Sequence, residues 1–254
     1  METQDIAVIG ICAALYAVVG RLTDLGITFL GVAFWPAVVI PAVFAVLFGP
    51  WVGGIGGAIG IFIRDMLFHG NPLLSLAAGV PPNFLLFFLI GYLANRNIDM
   101  KKTVAGIILA AVVIVAGLIV PTLIFPAEFA ALTGLSTAEI IIVFSLTVII
   151  SLVVIAAVTV RWRQWRSYAV AAVIGQAAGA ALLSVTVWTV SPLFLSYFKS
   201  PIAASFILPI FVWTFATEIP FVLLVGPPVI KACYKAFPSL KQRRRSQEKG
   251  EAIE

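Results

Sequence analysis

The stretch from Phe48 to Tyr92 reads FGPWVGGIGGAIGIFIRDMLFHGNPLLSLAAGVPPNFLLFFLIGY and decides how the chain folds. On a helix, the pairs Gly53/Gly57 and Gly56/Gly60 each place two glycines on one face. In lipid, apolar faces gain little from meeting each other, and small residues at this spacing let helix backbones approach closely. The stretch therefore predicts a membrane helix that packs tightly against its neighbours.

Three polar side chains follow the glycines by about one helical turn: Arg64, Asp65 and His69. They lie where an apolar helix leaves the hydrocarbon, so we expect them to form a polar rim at the outer surface. Because Arg64 and Asp65 are adjacent, they point to different faces of the helix, and we expect that they do not simply neutralise each other. In the next apolar run, Pro81-Pro82-Asn83 places a kink and an amide.

The composition identifies the class of protein. The chain of 254 residues is 62% hydrophobic and 11% charged, with a mean hydropathy of +1.13. Its apolar runs are continuous, which predicts an all-α integral membrane protein and argues against the alternating pattern of a β-barrel. The single histidine excludes a metal site built from several imidazoles, and the two cysteines lack metal-ligand spacing, so we expect no metal and no cofactor.

Eight apolar segments predict eight transmembrane helices, which form a single domain over 1–237. If the amino terminus is cytoplasmic, 13 of the 16 basic residues lie on the cytoplasmic side, which fits the positive-inside rule and places both termini there. The polar, charged tail 238–254 is expected to be disordered. The segments are 6–22, 28–48, 51–68, 73–95, 103–125, 139–160, 167–190 and 203–232.

An ionisable side chain in the middle of a span is costly and is a candidate functional residue. Glu218 lies near the middle of the last segment, two residues before Pro220. A buried carboxylate there must find a cation or hydrogen-bond donors, or keep its proton. Two roles stay open: contact with a ligand, and structural pairing with Arg64 or a helix hydroxyl.

Four further side chains are candidates for a substrate site. Asn83 and Gln176 are amides inside spans, where they either orient a polar ligand or tie two helices together. Trp188 either stacks on a flat ring or faces lipid. Trp35 lies at interfacial depth, where the alternative to a ligand contact is a residue of the aromatic belt.

No catalytic set emerges, because there is no Walker A sequence and His69 has no obvious partner that would make it a base. We therefore expect a protein that is not an enzyme and that binds no nucleic acid. Two rivals to a substrate-binding role are a proton-coupled secondary transporter, with Glu218 as proton carrier, and a membrane enzyme acting on lipid, with Arg64, Asp65 and His69 at its active site.

Three motifs carry a resemblance to a known family: ALYA at 14–17, LFGPWVGGIGGAIG at 47–60 and EIPFVLLVGPPVIKACYKAF at 218–237. Together with the kinked fourth helix, they resemble the substrate-binding S components of energy-coupling factor (ECF) transporters. That family normally has six spans. The resemblance therefore implies a six-helix core with an extra pair of helices at about 103–160.

The resemblance also implies a function. S components capture a vitamin, vitamin precursor or similar micronutrient from outside, and they then associate with a membrane coupling subunit and two cytoplasmic ATPase subunits. We therefore expect a prokaryotic plasma-membrane protein with a small-molecule substrate. Small residues of the first helix contact the coupling subunit in the family, and the matching positions here are Ala13 and Ala17. The pocket is expected around Trp35, Asn83, Gln176, Trp188 and Glu218.

Overall fold

The computed structural model describes residues 3–94 and 136–240, together with the single positions 96, 104, 108 and 111. These residues include six helices that are long and apolar enough to cross a membrane, and a shorter apolar helix over Pro36–Phe48. The helices are α1 (Thr3–Thr23), α2 (Val39–Phe48), α3 (Pro50–Phe68), α4 (Pro72–Leu74), α5 (Val80–Leu93), α6 (Thr137–Arg161), α7 (Arg166–Val190), α8 (Leu195–Phe198) and α9 (Ile207–Ala236).

The chain is a helical, multi-pass membrane protein, as its composition predicts. Most of the predicted span 103–125 and the tail beyond 240 lie outside the described residues. The count of eight spans, the domain boundary at 237 and the cytoplasmic placement of both termini therefore stay predictions.

The predicted helix over 28–48 is wrong at its start. Residues 28–33 form a two-stranded antiparallel hairpin, β1 (Thr28–Phe29) and β2 (Val32–Ala33). Leu30 and Gly31, with φ of 48° and 81°, form the turn, as in the tight turns that suit a twisted hairpin. Helical structure begins only at Pro36, whose ring presets the helical φ at the first position.

The glycines of α3 pack against three neighbouring helices. Gly56 and Gly60 meet α1, Gly57 meets α5 and Gly53 meets α2. A Cβ atom added at any of these four positions would come closer than 3.0 Å to an atom of the neighbouring helix. The predicted close packing is thus confirmed, and α3 is the helix around which the amino-terminal half is assembled.

Gly53→Ala is expected to lower the melting temperature, because the new methyl meets the backbone and Cβ of Ala45, which cannot move aside as a flexible side chain could. Overpacking of this kind costs about 1–3 kcal/mol. The matched control is Gly10→Ala, where nothing lies within 4 Å of the added Cβ. Thermal unfolding in detergent should show a loss for Gly53→Ala only; equal melting temperatures would contradict the packing described for α3.

The packing of α1 against α3 buries the two alanines that the resemblance assigns to the contact with a coupling subunit. Ala13 and Ala17 are 2% and 1% exposed, because both lie on the side of α1 that faces the rest of the protein. They are therefore not available for the contact with a coupling subunit that the resemblance implies. The small apolar residues that α1 does expose are Ala7, Gly10 and Ala14, of which Gly10 and Ala14 are one turn apart.

Helix α9 continues through Pro220, and a side chain of α6 replaces the hydrogen-bond donor that the proline lacks. Proline has no N–H, so the carbonyl of Ala216, four residues earlier, loses its usual helical donor. The Ser151 hydroxyl of α6 lies 2.6 Å from that carbonyl oxygen and can donate to it. This contact joins α6 to α9 close to Glu218, where an unsatisfied carbonyl in lipid would otherwise be costly.

Candidate functional site

A cavity opens at the end of the bundle that the charge pattern places outside. About 780 Å³ of empty space lies within it when the open solvent at its mouth is counted, and about 110 Å³ is open to the centres of water-sized molecules. Helices α1, α3, α5, α7, α8 and α9 and the hairpin all contribute to its wall. Its apolar lining consists largely of Ile61, Leu74, Ala78, Pro82, Leu86, Leu183 and Val187.

Arg64 lines this cavity and is held on several sides. Its Nη2 lies 3.4 Å from Asp24 Oδ2, and its Nη1 lies 3.2 Å from Asp65 Oδ1. The guanidinium also stacks between the rings of Trp35 and Phe68, 4.5 and 4.3 Å from their centroids. A buried arginine requires such carboxylates, and the aromatic faces add cation–π attraction. The expectation that the adjacent Arg64 and Asp65 do not pair was therefore wrong, because the long arginine side chain can fold back.

Asp65 is the centre of a second set of contacts. The Ser75 hydroxyl donates to its Oδ2 at 2.7 Å, and His69 Nε2 lies 3.8 Å from its Oδ1. His69 Nδ1 accepts from the backbone N–H of Asn71, which turns the other ring nitrogen towards Asp65. Gly79 leaves room for this carboxylate, since a Cβ there would lie 2.6 Å from Oδ2. Arg64, Asp65 and His69 thus line one cavity together.

Asn83 lines the cavity with a fixed orientation. The Tyr16 hydroxyl donates to Asn83 Oδ1 at 2.6 Å, and Asn83 Nδ2 donates to the Gly79 carbonyl at 2.9 Å. An amide NH₂ has two donors, so one N–H of Asn83 has no acceptor among the described residues and can bond a ligand. Tyr16 is itself held edge-on against the rings of Trp35 and Phe87.

Glu218 lines the cavity from α9 and is 5% exposed. Its Oε2 accepts a hydrogen bond of 2.5 Å from Gln176 Nε2, and the same nitrogen lies 3.4 Å from the Thr214 carbonyl. It forms no ion pair with any residue of the described ranges, and Arg64 is bound to the two aspartates instead. Pairing with Arg64, one of the two structural roles considered for Glu218, is therefore wrong, while pairing with a helix hydroxyl and contact with a ligand stay predictions. Gln176 is fully buried and lies behind Glu218 instead of lining the cavity.

Two tryptophans, Trp35 and Trp188, are predicted from the sequence to lie at the pocket, and they differ in their position relative to the cavity. Trp35 is 4% exposed and lines the cavity, with its ring packed on Gly20 of α1. Trp188 is 38% exposed and does not line the cavity, whereas its neighbour Val187 does. Successive helical residues point about 100° apart, so Trp188 faces away when Val187 faces in. Trp188 therefore does not line this cavity, and its role in substrate binding stays a prediction.

The hairpin and α8 also contribute residues to the cavity wall, which the sequence did not predict. Tyr197 lines the cavity, donates to the Gly31 carbonyl at 2.9 Å and packs its ring against His69 at 5.2 Å. Burial raises the pKa of the Tyr197 phenol, which favours the protonated donor. Trp213 Nε1 donates to the Val32 carbonyl at 3.1 Å. The signals that could have located the hairpin are Gly26 and Gly31, which bracket a short β-branched and aromatic run.

Comparison with known proteins identifies a family. Residues 1–162, well over half of the chain, match the model of the family described as "ECF-type riboflavin transporter, S component". The match includes 103–160, so the treatment of that segment as an extra pair stays a prediction, while α7 and α9 lie beyond the match and still line the cavity. Searches of curated proteins and of solved structures found no match. A match of this extent shows that the chain, a multi-pass helical membrane protein, belongs to the family of ECF-type riboflavin transporter S components.

Proposed function

We propose that this membrane substrate-binding subunit captures riboflavin from outside and delivers it inward. The observation that carries the proposal is the cavity, in which fixed polar side chains surround an extensive apolar wall. Riboflavin has matching parts: a flat fused ring with an imide edge, and a hydroxylated chain. Burial of the ring against the apolar wall supplies affinity at about 25 cal/mol per Å².

The polar groups of the cavity suit a neutral ligand. The charge of Arg64 is balanced by Asp24 and Asp65, while its Nε has no hydrogen-bond partner among the described residues. Within that part of the chain, Asn83 keeps a free N–H, and the carboxylate of Glu218 keeps acceptor capacity. Such an arrangement supports recognition of a ligand through individual hydrogen bonds and not through a net charge.

The ligand itself is the first test. The full chain is purified in mild detergent without added flavin, denatured, and the released small molecules are identified by mass spectrometry. Riboflavin, or a flavin derived from it, is expected in an amount comparable to the protein. A different vitamin in that amount would contradict the proposed substrate and leave the transport role intact.

Energy for delivery is proposed to come from a membrane coupling subunit with two cytoplasmic ATPase subunits, in a prokaryotic plasma membrane. In vesicles that contain the complete assembly, riboflavin uptake should require ATP and persist when the proton gradient is collapsed. Uptake that depends on the proton gradient and not on ATP would instead favour the secondary-transporter alternative, with Glu218 as carrier.

The exposed small face of α1 is the proposed contact for the coupling subunit. Gly10 and Ala14 leave space for a partner helix to approach closely. Ala14→Trp is expected to prevent co-purification with the coupling subunit while riboflavin binding by the isolated protein stays within about twofold. The matched control is Ala156→Trp, an exposed alanine of α6. If both variants assemble normally, the contact lies elsewhere.

A further inference from the structure

The deep end of the cavity contains the side chain of Glu218, which forms no ion pair with any described residue. Glu218 lies about four helical turns after Ala204, where the last span begins, whereas Arg64 lies one turn from the end of α3. Among the described residues, the only hydrogen bond to the Glu218 side chain reaches Oε2, from Gln176. A carboxylate offers about four acceptor positions on its two oxygens, so Glu218 retains acceptor capacity in the cavity.

The orientation of the Gln176 amide determines which hydrogen bonds Glu218 can form. Gln176 Nε2 faces both Glu218 Oε2 and the Thr214 carbonyl, so both of its hydrogens have acceptors on α9. An amide that presents donors to Glu218 stabilises the carboxylate as an acceptor and holds its rotamer. Gln176 is therefore a positioning residue, and Glu218 is the group that faces the ligand.

The two ends of the cavity differ in the ligand groups to which they can form hydrogen bonds. The mouth has Arg64, Asp65, His69 and Tyr197, which suit a chain of hydroxyls that both donate and accept. The rest of the lining is mostly apolar, with Tyr16, Asn83 and Thr214 as its polar members, and an apolar wall suits a flat ring. With the hydroxylated chain at the mouth, the ring is the part that reaches Glu218, and the one N–H on the riboflavin ring system is that of its imide.

On the basis of the proposed function, we propose that Glu218, positioned by Gln176, accepts a hydrogen bond from the imide N–H of the flavin ring and thereby determines specificity. A site built to bond a particular N–H rejects an analogue that lacks it, because a buried acceptor is then left unpaired. The expected discrimination is about ten- to a hundredfold, the usual value of a hydrogen bond to a charged group.

The test measures dissociation constants of the full chain in detergent for three ligands. Riboflavin and 5-deazariboflavin both keep the imide N–H, and 3-methylriboflavin lacks it. The wild type should bind the first two alike and 3-methylriboflavin about ten- to a hundredfold more weakly. The ratio of the 3-methylriboflavin constant to the riboflavin constant is the readout, because loss of general stability does not change it.

Variants then show whether Glu218 causes the discrimination. The ratio should be at least about tenfold smaller in Glu218→Leu, which has no acceptor, and intermediate in Glu218→Gln, which keeps a neutral one. The ratio is evaluated in a variant that gives a cooperative melting curve. If the ratio is unchanged there, the inference is overturned, because another group must then accept the hydrogen bond from the imide. Failure of riboflavin to bind the folded wild type is a different result, and it would overturn the proposed function first.

Discussion

Arg64→Met is expected to lower the free energy of unfolding by about 3–5 kcal/mol, the usual cost of removing one partner from a buried ion pair. The side chains of Asp24 and Asp65 are 4% and 9% exposed, and the substitution leaves both without their buried cation. The rings of Trp35 and Phe68 lose their cation–π partner as well. Thermal unfolding of the purified protein, followed by circular dichroism, measures the effect.

The chain offers a matched control for this arginine. Arg21 Nη1 lies 3.3 Å from the same Asp24, but the Arg21 side chain is 52% exposed. Arg21→Met should therefore cost less than about 1 kcal/mol, as exposed ion pairs do. Adding Asp65→Asn to Arg64→Met should recover part of the loss, because it removes one buried negative charge. Equal effects of the two arginine substitutions would show that burial does not govern this cluster.

Trp35→Ala is expected to cost about 3–5 kcal/mol and to weaken riboflavin binding at least about tenfold. The ring is 4% exposed, fills the space above Gly20, covers Arg64 and forms part of the cavity wall. Removing it opens a void and exposes the guanidinium to water. Melting curves and flavin titrations on the same preparation measure both effects.

Trp35→Phe is the matched control, since it keeps an aromatic ring over Arg64 and loses less volume. It should retain more stability and more affinity than Trp35→Ala. If Trp35→Ala lowers stability but leaves the affinity of the folded protein unchanged, Trp35 is a structural residue only, as an aromatic belt position would be.

Some features of the site could be predicted because they depend on local chemistry. The paired glycines of α3 predict close packing wherever lipid removes other driving forces. Glu218 and Asn83 are polar groups inside spans, and both line the cavity. Such residues are costly in lipid, so their presence in the sequence indicates a site before any contact is known.

Other features depend on tertiary geometry that the sequence does not encode locally. Both faces of α1 are apolar, so the pattern could not separate the buried Ala13 from the exposed Ala14. The same ambiguity applies to Trp188 and Val187, of which only Val187 lines the cavity. Arg64 finds Asp24 across forty positions of the chain, and no spacing rule predicts that contact. The hairpin at 28–33 was hidden within a continuous apolar run.

Titration of riboflavin into the purified full chain tests most directly whether the isolated protein binds riboflavin in this cavity. Ala78 lines the cavity, so Ala78→Phe should fill part of it, whereas Ala14→Phe places the same ring on the exposed face of α1. The wild type and Ala14→Phe should bind one flavin per protein with similar affinity, and folded Ala78→Phe should bind at least about tenfold more weakly. Unchanged affinity in Ala78→Phe, or no binding by the folded wild type, would contradict binding in this cavity.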